Sequence, residues 1–220
     1  METLAGAAAW LGAHPGGFLA AVGEHLALSL VGLGLGIAIA LPLGIAVAQR
    51  RHLAEAAITI AGALRTIPSL AVLAALLPLL GVGFMPSVIA LALLALPPVL
   101  VNTVTGLRGA DPAALEAARG LGMTPWQRAL QVELPLAAPL VFAGLRIAAV
   151  QVVSAAALAT FIGGGGLGDL VTQGLALLDT GRMLVGAVAI ALLALGTEAG
   201  FGLLERRQQR IAAGRGRPEA

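Results

Sequence analysis

The chain has 220 residues, of which 59% are hydrophobic and 11% charged, far below the roughly 25% charged share of a soluble domain. This composition predicts an integral membrane protein. Without any Cys, the chain has no disulfide framework, thiolate metal site or Cys nucleophile. The pI of 10.9 suggests nucleic-acid binding, but a net charge of only +2 and Arg residues in short loops between apolar runs favour membrane topology over a nucleic-acid partner.

The first half of the chain predicts three membrane-spanning helices, each of which needs about 20 mostly apolar residues. The first runs from about Leu26 to Ala48 and stops at a cluster of Arg50, Arg51 and His52. A charge-free stretch over 67–107 is long enough for two more, with a break at 81–87, where Gly and Pro indicate a turn. Helix two is therefore expected to start near Glu55 and to contain Arg65, and helix three to end before Arg108. The N-terminal 20 residues lack the basic start of a signal peptide and are expected to be retained.

A polar island, "EAARGLGMTPWQRALQVELPLAAPLV" (116–141), interrupts the apolar pattern after helix three. Asp111 followed by Pro112 predicts a helix start, and 113–121 a short helix. Gly122 is expected to end that helix in a left-handed conformation. Thr124 and Gln127 predict a capping box around Pro125 for a second helix, which Leu134 and Pro135 are expected to close. The pattern thus predicts a helix-turn-helix at the membrane surface, and an amphipathic loop that merely rests on lipid head groups stays open as an alternative.

The second half predicts helix four over about 136–162, helix five over about 183–204, and a polar, frayed tail over about 205–220. Helix four contains Arg146 and helix five contains Glu198. Together with Arg65, these charges fall roughly 10 to 18 Å from the cytoplasmic ends of their helices, so that they share a layer of the bundle. Ionised groups within a membrane usually face the bundle interior or one another. We expect Glu198 to pair with Arg146 or Arg65, and residues 1–220 to form a single transmembrane domain.

Arg residues predict the orientation, since cytoplasmic loops carry an excess of them. With the N-terminus outside and the C-terminus in the cytoplasm, the polar island becomes cytoplasmic and only Arg182 lies outside. The Arg residues then on the inside are Arg50, Arg51, Arg108, Arg119, Arg128, Arg206, Arg207, Arg210, Arg215 and Arg217.

The island also carries a motif. Glu116, Ala117 and Ala118 are followed after three residues by Gly122, then after nine by Val132, and after one more by Leu134 and Pro135. This order resembles the EAA loop of bacterial ABC-importer permeases, with Val where Ile is usual. The resemblance implies a coupling loop, at about 109–135, that docks into a cleft on a separate ATPase subunit. Its coupling residues would be Glu116, Ala117, Ala118, Gly122, Met123, Val132, Leu134 and Pro135.

Three further stretches extend the resemblance over nearly the whole chain. They are "LRTIPSLAVLAAL" (64–76), "LPPVLVNTVTGLRGADPAALEAARGLGM" (96–123) and "ATFIGGGGLGDLV" (159–171). They are similar to the osmoprotectant branch of these permeases, which imports glycine betaine, choline, carnitine or related quaternary amines. Methionine-importer permeases are related, and a methionine-type amino-acid importer is the alternative. The implied fold is an all-α, MetI-like permease bundle of about five transmembrane helices with a cytoplasmic coupling helix-turn-helix.

The resemblance implies a division of labour among several chains in the bacterial cytoplasmic (inner) membrane. Two ABC ATPase subunits would bind ATP and Mg, so this chain is expected to be no enzyme and to hold no cofactor. A second permease copy or a paralogue would complete the pore, and a periplasmic or lipid-anchored binding protein would deliver substrate. A secondary transporter or channel would not need the loop, and a structural scaffold would carry no substrate flux.

Substrate selection is expected to lie outside this chain. Quaternary ammonium groups are usually held by aromatic cages, and the chain has no Tyr and only two Trp and five Phe. Small polar residues are candidates for a weakly binding pore, although an interhelical hydrogen bond is an alternative for Asn102 and Thr103. These pore candidates are Ser69, Asn102, Thr103, Ser154 and Thr160.

Glycine patterns indicate close packing. The run 163–168 lacks the Lys and the preceding strand of a phosphate-binding loop, so it is either a bend that packs the following segment closely, a periplasmic gate, or both. Gly32 and Gly36 have the GxxxG spacing that brings helices into contact, either with a second copy or with another helix of this chain. His14, His25 and His52 lack metal-ligand spacing and are expected at interfaces or in loops.

Overall fold

The computed structural model describes residues 2–215, with side chains for residues 3–204, and contains helices and no strand in that range. The helices are, in chain order, α1 (Glu2–Ala13), α2 (Pro15–Ala48), α3 (Arg51–Leu64), α4 (Ser69–Leu80), α5 (Phe84–Arg108), α6 (Pro112–Gly120), α7 (Pro125–Arg128), α8 (Leu134–Ala156), α9 (Leu167–Ala176) and α10 (Thr180–Arg215). A π turn (Ala129–Glu133) joins α7 to α8, and a 3₁₀ turn (Ala157–Ile162) follows α8.

Four helical segments are long and apolar enough to cross a bilayer. A fifth candidate span is the pair α3 and α4, which bends by 94° at the break between the two helices. The all-α class and the expected number of about five spans are therefore confirmed for the described residues. The four unbroken spans are Pro15–Ala48, Phe84–Arg108, Pro125–Ile162 and Thr180–Leu204.

The predicted second helix is wrong as a single element, because α3 ends at Leu64 and α4 begins at Ser69. Proline disfavours helical backbone at the residue before it, and Pro68 itself lies outside the helical region, with φ −57° and ψ 135°. Arg65 consequently sits at the C-terminal cap of α3, exposed at the break, instead of inside a continuous span.

Two helices extend beyond their predicted ends. α2 begins at Pro15 rather than near Leu26. The backbone of α10 stays helical to Arg215, so the expected fraying after Leu204 is wrong for residues 205–215. This segment, "ERRQQRIAAGR", is rich in residues of high helix propensity. The remainder of the predicted tail, 216–220, lies outside the described residues.

Contacts divide the chain into two compact units, each assembled from three separate segments. The first unit contains the described residues up to Gly36, together with Ile67–Ala95 and Ala149–Thr197. The second unit contains Ile37–Thr66, Leu96–Ala148 and the described residues from Glu198 onward.

Glycines let two helices of the first unit approach closely. A Cβ at Gly36 would lie 2.6 Å from the Cβ of Ala95, and a Cβ at Gly32 would lie 2.7 Å from that of Leu91. The GxxxG face of α2 therefore packs against α5 of the same chain. Of the two partners that the sequence left open, another helix of this chain and a second copy, the structure shows the first.

The glycine run after the 3₁₀ turn also belongs to the first unit. Gly163, Gly165 and Gly166 have φ angles of 71°, 80° and 89°, a region that side chains other than glycine rarely enter. A Cβ at Gly168 would collide with the carbonyl of Ala157, so α9 can pack closely only because this position is glycine. The predicted close-packing bend is confirmed.

In the second unit, α5 packs against the C-terminal part of α2 and the N-terminal part of α8. Contact at these crossings requires small residues: a Cβ at Gly144 would lie 2.6 Å from the Cβ of Asn102, and one at Gly106 would lie 3.0 Å from that of Ala137. The buried cluster beside these crossings consists of Ile45, Ala48, Ala54, Val104, Leu107, Ala129, Ala137 and Val141.

Candidate functional site

The polar island forms a stiff loop in the second unit, and its first helix, α6, begins with a cap. The side chain of Asp111 accepts a hydrogen bond from the backbone N–H of Ala113 at 3.0 Å, and Pro112 occupies the first helical turn. Proline suits this position because its missing N–H would have no helical partner. The predicted start of the helix is confirmed.

A left-handed glycine ends α6. Gly122 has φ 74°, its N–H donates to Arg119 O at 2.9 Å, and the N–H of Met123 donates to Ala118 O at 3.2 Å. These two bonds form a Schellman motif, which satisfies carbonyls at the helix end. No other atom would lie within 4 Å of a Cβ at Gly122, so the backbone conformation, and not crowding, favours glycine there.

The predicted capping box starts α7. The N–H of Gln127 donates to Thr124 Oγ1 at 3.3 Å, and the N–H of Thr124 donates to Gln127 Oε1 at 2.9 Å. Each side chain thereby satisfies a backbone group that the helix leaves free. The two caps and the glycine turn hold α6 and α7 in one arrangement without help from a partner.

The predicted end of the second helix at Leu134 and Pro135 is wrong. The chain remains helical from Pro125 to Ile162, and the N–H of Leu134 reaches back to Ala129 O, five residues earlier, in the π turn. Pro135 lacks an N–H and would interrupt a regular ladder; it is accommodated here directly after a π turn that already departs from the i to i+4 pattern.

A three-residue polar cluster lies at this π turn. The Glu133 side chain is buried, at 8% exposure, and accepts a hydrogen bond from Arg128 Nε at 2.8 Å. Gln49, directly after α2, donates from Nε2 to the other carboxylate oxygen of Glu133 at 3.1 Å. The amide oxygen of Gln49 accepts from Arg128 Nη2 at 3.5 Å. The three residues could not be recognised as a cluster from the sequence, because residues five apart do not share a face of an α-helix.

The outer surface of the loop is partly apolar. Leu121 is 82% exposed and Trp126 is 56% exposed, and Glu116 and Ala117 are also exposed. Ala118 and Ala129, in contrast, are buried and face the rest of the second unit. Exposed large apolar side chains on a rigid, capped loop are typical of a surface that docks to another protein.

The remaining motif positions lie in the turn before α7 and at the junction with α8. Met123, Val132 and Leu134 are half-buried, and Pro135 is exposed. The eight motif residues are therefore mixed in burial, and Val132, Leu134 and Pro135 lie where the π turn joins the loop to α8.

The structure places the pore candidates in both units. In the second unit, Asn102 donates to Pro98 O of its own helix at 2.8 Å, and Thr103 is fully buried, its hydroxyl without a hydrogen-bond partner among the described residues. In the first unit, Ser69 opens α4 half-buried, and Ser154 is exposed. Thr160 donates to the carboxylate of Asp169 and lies 3.2 Å from Thr172 Oγ1.

The predicted pairing of Glu198 with Arg146 is confirmed within the second unit. Arg146 Nε donates to Glu198 Oε1 at 2.9 Å, and Arg146 Nη2 contacts the same oxygen. The partner of Glu198 is thus Arg146 on α8, and Arg65 lies at the helix break described above.

The expectation that His25 lies at an interface or in a loop is wrong. His25 is fully buried within α2, and its Nε2 lies 3.0 Å from Val153 O. The neighbouring Glu24 accepts a hydrogen bond from the N–H of Gly166 at 3.0 Å. Both contacts lie within the first unit. A Glu-His pair in an otherwise apolar run is the signal that could have indicated such contacts, because polar groups in an apolar segment need partners. Among the described residues, no group of three His, Asp or Glu side chains could hold a metal ion.

These features define an all-α, multi-pass membrane protein with a capped helix-turn-helix that exposes large apolar side chains. The family model for the binding-protein-dependent transport system inner membrane component matches residues 32–210, and the chain belongs to this family. The resemblance seen in the EAA motif is thereby confirmed.

Two sequence relatives and one solved structure are similar to this chain over most of its length. The chain is 44% identical to the carnitine transport permease protein OpuCB of Listeria monocytogenes over 184 residues, which cover 84% of each chain. It is 41% identical over 198 residues to a glycine betaine/carnitine/choline transport system permease protein of Bacillus subtilis, covering 90% of this chain and 91% of that one. The fold is similar to that of the MetNI methionine ABC transporter, with a TM-score of 0.80 at 23% identity over 87% of this chain and 95% of the other.

Proposed function

We propose that this chain is the permease subunit of an ATP-driven importer of osmoprotectants such as glycine betaine, choline or carnitine. The observation that carries the proposal is the Glu116–Pro135 loop, which is capped at both helices and exposes Leu121 and Trp126. A free-standing channel has no use for such a surface. Relatives at 41–44% identity are carnitine and glycine betaine permeases, which supports the substrate class over methionine, because the 23% identity to a methionine transporter indicates the fold alone.

The proposed assembly contains two ATPase subunits, each docked to a Glu116–Pro135 loop, here called the docking loop, and a second permease copy or paralogue. ATP and Mg bind to the ATPase subunits, so the chain itself performs no hydrolysis. ATP binding closes the ATPase pair, the loops move with it, and the permease alternates between inward-facing and outward-facing states. The loop lies in the cytoplasm and the N-terminus outside, in agreement with the Arg distribution.

We further propose that a separate periplasmic or lipid-anchored protein selects the substrate. A quaternary ammonium group is usually bound by several aromatic faces. In this chain the ring of Trp10 is stacked on His14 and covered by Arg182 at 5.6 Å, and Trp126 lies on the docking loop. Neither Trp is therefore available for a cage, and the pore needs only weak contacts from small polar side chains, for which Ser69, Asn102, Thr103, Ser154 and Thr160 stay the candidates.

The proposal is tested by uptake of radiolabelled glycine betaine, choline, carnitine and methionine into proteoliposomes. These contain the full chain with its ATPase and its binding protein, with and without ATP. We expect ATP-dependent uptake of one or more quaternary amines. Uptake of methionine alone would move the chain to the amino-acid importers, and uptake that ignores ATP would contradict the proposed mechanism.

A further inference from the structure

The cluster of Gln49, Arg128 and Glu133, here called the polar clamp, exists because of the π turn. In an α-helix, residues five apart point about 140° away from each other. The i to i+5 geometry of a π turn instead brings such residues over the same face. The turn over Ala129–Glu133 thus brings the guanidinium of Arg128 to 2.8 Å from the carboxylate of Glu133.

Stabilisation of the fold does not explain why the charged side chains of the polar clamp are buried. The Arg128 and Glu133 side chains are 15% and 8% exposed and adjoin a buried apolar cluster that includes Ala48 and Ala129. Removing two charges from water costs about as much as their attraction returns, and a pair of apolar residues would often be as stable. The ion pair and the π turn together occupy only the six residues 128–133. This coincidence suggests a mechanical role, since π turns are frequent at functional positions.

Gln49 connects this pair to a different helix. It directly follows α2, and it contacts both partners: Nε2 donates to Glu133, and Oε1 accepts from Arg128. The contacts join residues 79 and 84 positions apart in the chain. The last turn of α2 is thereby tied to the inner end of the docking loop by hydrogen bonds that involve charged groups, which are about twice as strong as neutral ones.

We propose that the polar clamp transmits movement of the docking loop to the C-terminal end of α2, with Gln49, Arg128 and Glu133 as positioning residues for coupled transport. This inference rests on the proposed function. Without the polar clamp, α6 and α7 still dock and the ATPase still turns over, but the movement reaches α2 only through apolar contacts, which slide more easily than directed hydrogen bonds.

The test measures substrate imported per ATP hydrolysed, in proteoliposomes that contain the complete complex. Glu133→Gln removes the negative charge while keeping the shape of the side chain. Gln49→Leu removes only the hydrogen bonds that link the pair to α2. Because Gln49 is exposed, this substitution should not affect folding. Glu55→Gln is the matched control, since Glu55 forms an ion pair with Arg51 in the same unit, but with side chains 57% and 77% exposed. Radiolabelled glycine betaine, choline and carnitine serve as probes.

We expect both clamp variants to import about tenfold less substrate per ATP, a ratio within the usual range of coupling between sites, while ATPase binding to the permease is retained. The control should match wild type. If Gln49→Leu imports as much per ATP as wild type, the inference is overturned, and this variant decides the matter even if Glu133→Gln fails to assemble. A wild-type complex without ATP-dependent uptake would instead reject the proposed function itself.

Discussion

Arg146 and Glu198 are two charged residues, far apart in an apolar sequence, that form an ion pair in the structure. Their sequence positions predicted a common depth, and the structure joins them through one carboxylate oxygen. An ionised group in a membrane segment needs a partner because hydrocarbon offers it no hydrogen bonds. This contact was predictable, since few charges are available to pair with Glu198.

Glu198→Gln is expected to lower the melting temperature of the detergent-extracted protein by several degrees, because Arg146 loses its charged partner. Thermal unfolding followed by tryptophan fluorescence or by loss of monodisperse protein measures the effect. The control is Glu55→Gln, which removes an exposed i, i+4 pair of the kind that contributes little. Equal melting of wild type and Glu198→Gln would show that the pair does not stabilise the fold.

Other residue-level contacts could not be predicted. Glu133 lies within a recognised motif, but its partner Arg128 is five positions away, a spacing that has no meaning in an α-helix. The π turn brings residues at this spacing together, but no sequence pattern predicts a π turn. His25 was expected at an interface or in a loop because the carbonyl of Val153 that it contacts is 128 residues away in the sequence.

At the scale of elements, local chemistry predicted the loop well and the helix breaks less well. Caps and the left-handed glycine involve neighbours in sequence, so Asp111, Gly122 and the Thr124–Gln127 box could be assigned from residue types. The bend between α3 and α4 was missed because Pro68 stands in a charge-free run that looks continuous by hydropathy. The continuation of helix through Pro135 was missed because it depends on the unpredicted π turn.

The packing of α2 against α5 provides a test at this scale. Gly36→Ala places a methyl group 2.6 Å from the Cβ of Ala95 and 2.9 Å from the carbonyl oxygen of Ala92. We expect a loss of stability of about 1–3 kcal/mol, as for other overpacked positions. Gly34→Ala is the matched control, with no atom within 4 Å of the new methyl group. Denaturant unfolding in detergent measures both, and similar losses for the two variants would contradict close packing at Gly36.

At the scale of the whole molecule, composition predicted an integral membrane protein and the apolar segments predicted its spanning helices. The EAA motif predicted the family. The substrate class came from resemblance and not from the pore residues, since Asn102 bonds to its own helix and Thr103 is buried. A pore that binds substrate only weakly needs few specific side chains, so its lining is hard to predict from the sequence of one chain. This holds especially where a second permease copy supplies part of the lining.

Orientation in the membrane can be tested directly, because the chain has no native Cys. Thr3→Cys near the N-terminus and Arg119→Cys on the docking loop introduce single reactive sites at exposed positions. The proposed topology predicts that a membrane-impermeant maleimide labels intact spheroplasts at position 3 only, and labels position 119 after permeabilisation. The reverse pattern would place the docking loop outside and exclude contact with a cytoplasmic ATPase.

The central claim is that the Glu116–Pro135 loop couples this permease to an ATPase. The most direct measurement compares ATP-dependent uptake of radiolabelled quaternary amines by wild type and Glu116→Lys in the reconstituted complex. Glu116 is exposed, so reversing its charge should leave the permease folded while disturbing the docked surface. We predict that uptake falls to the level without ATP while the variant melts like wild type; undiminished ATP-dependent uptake by Glu116→Lys would contradict the claim.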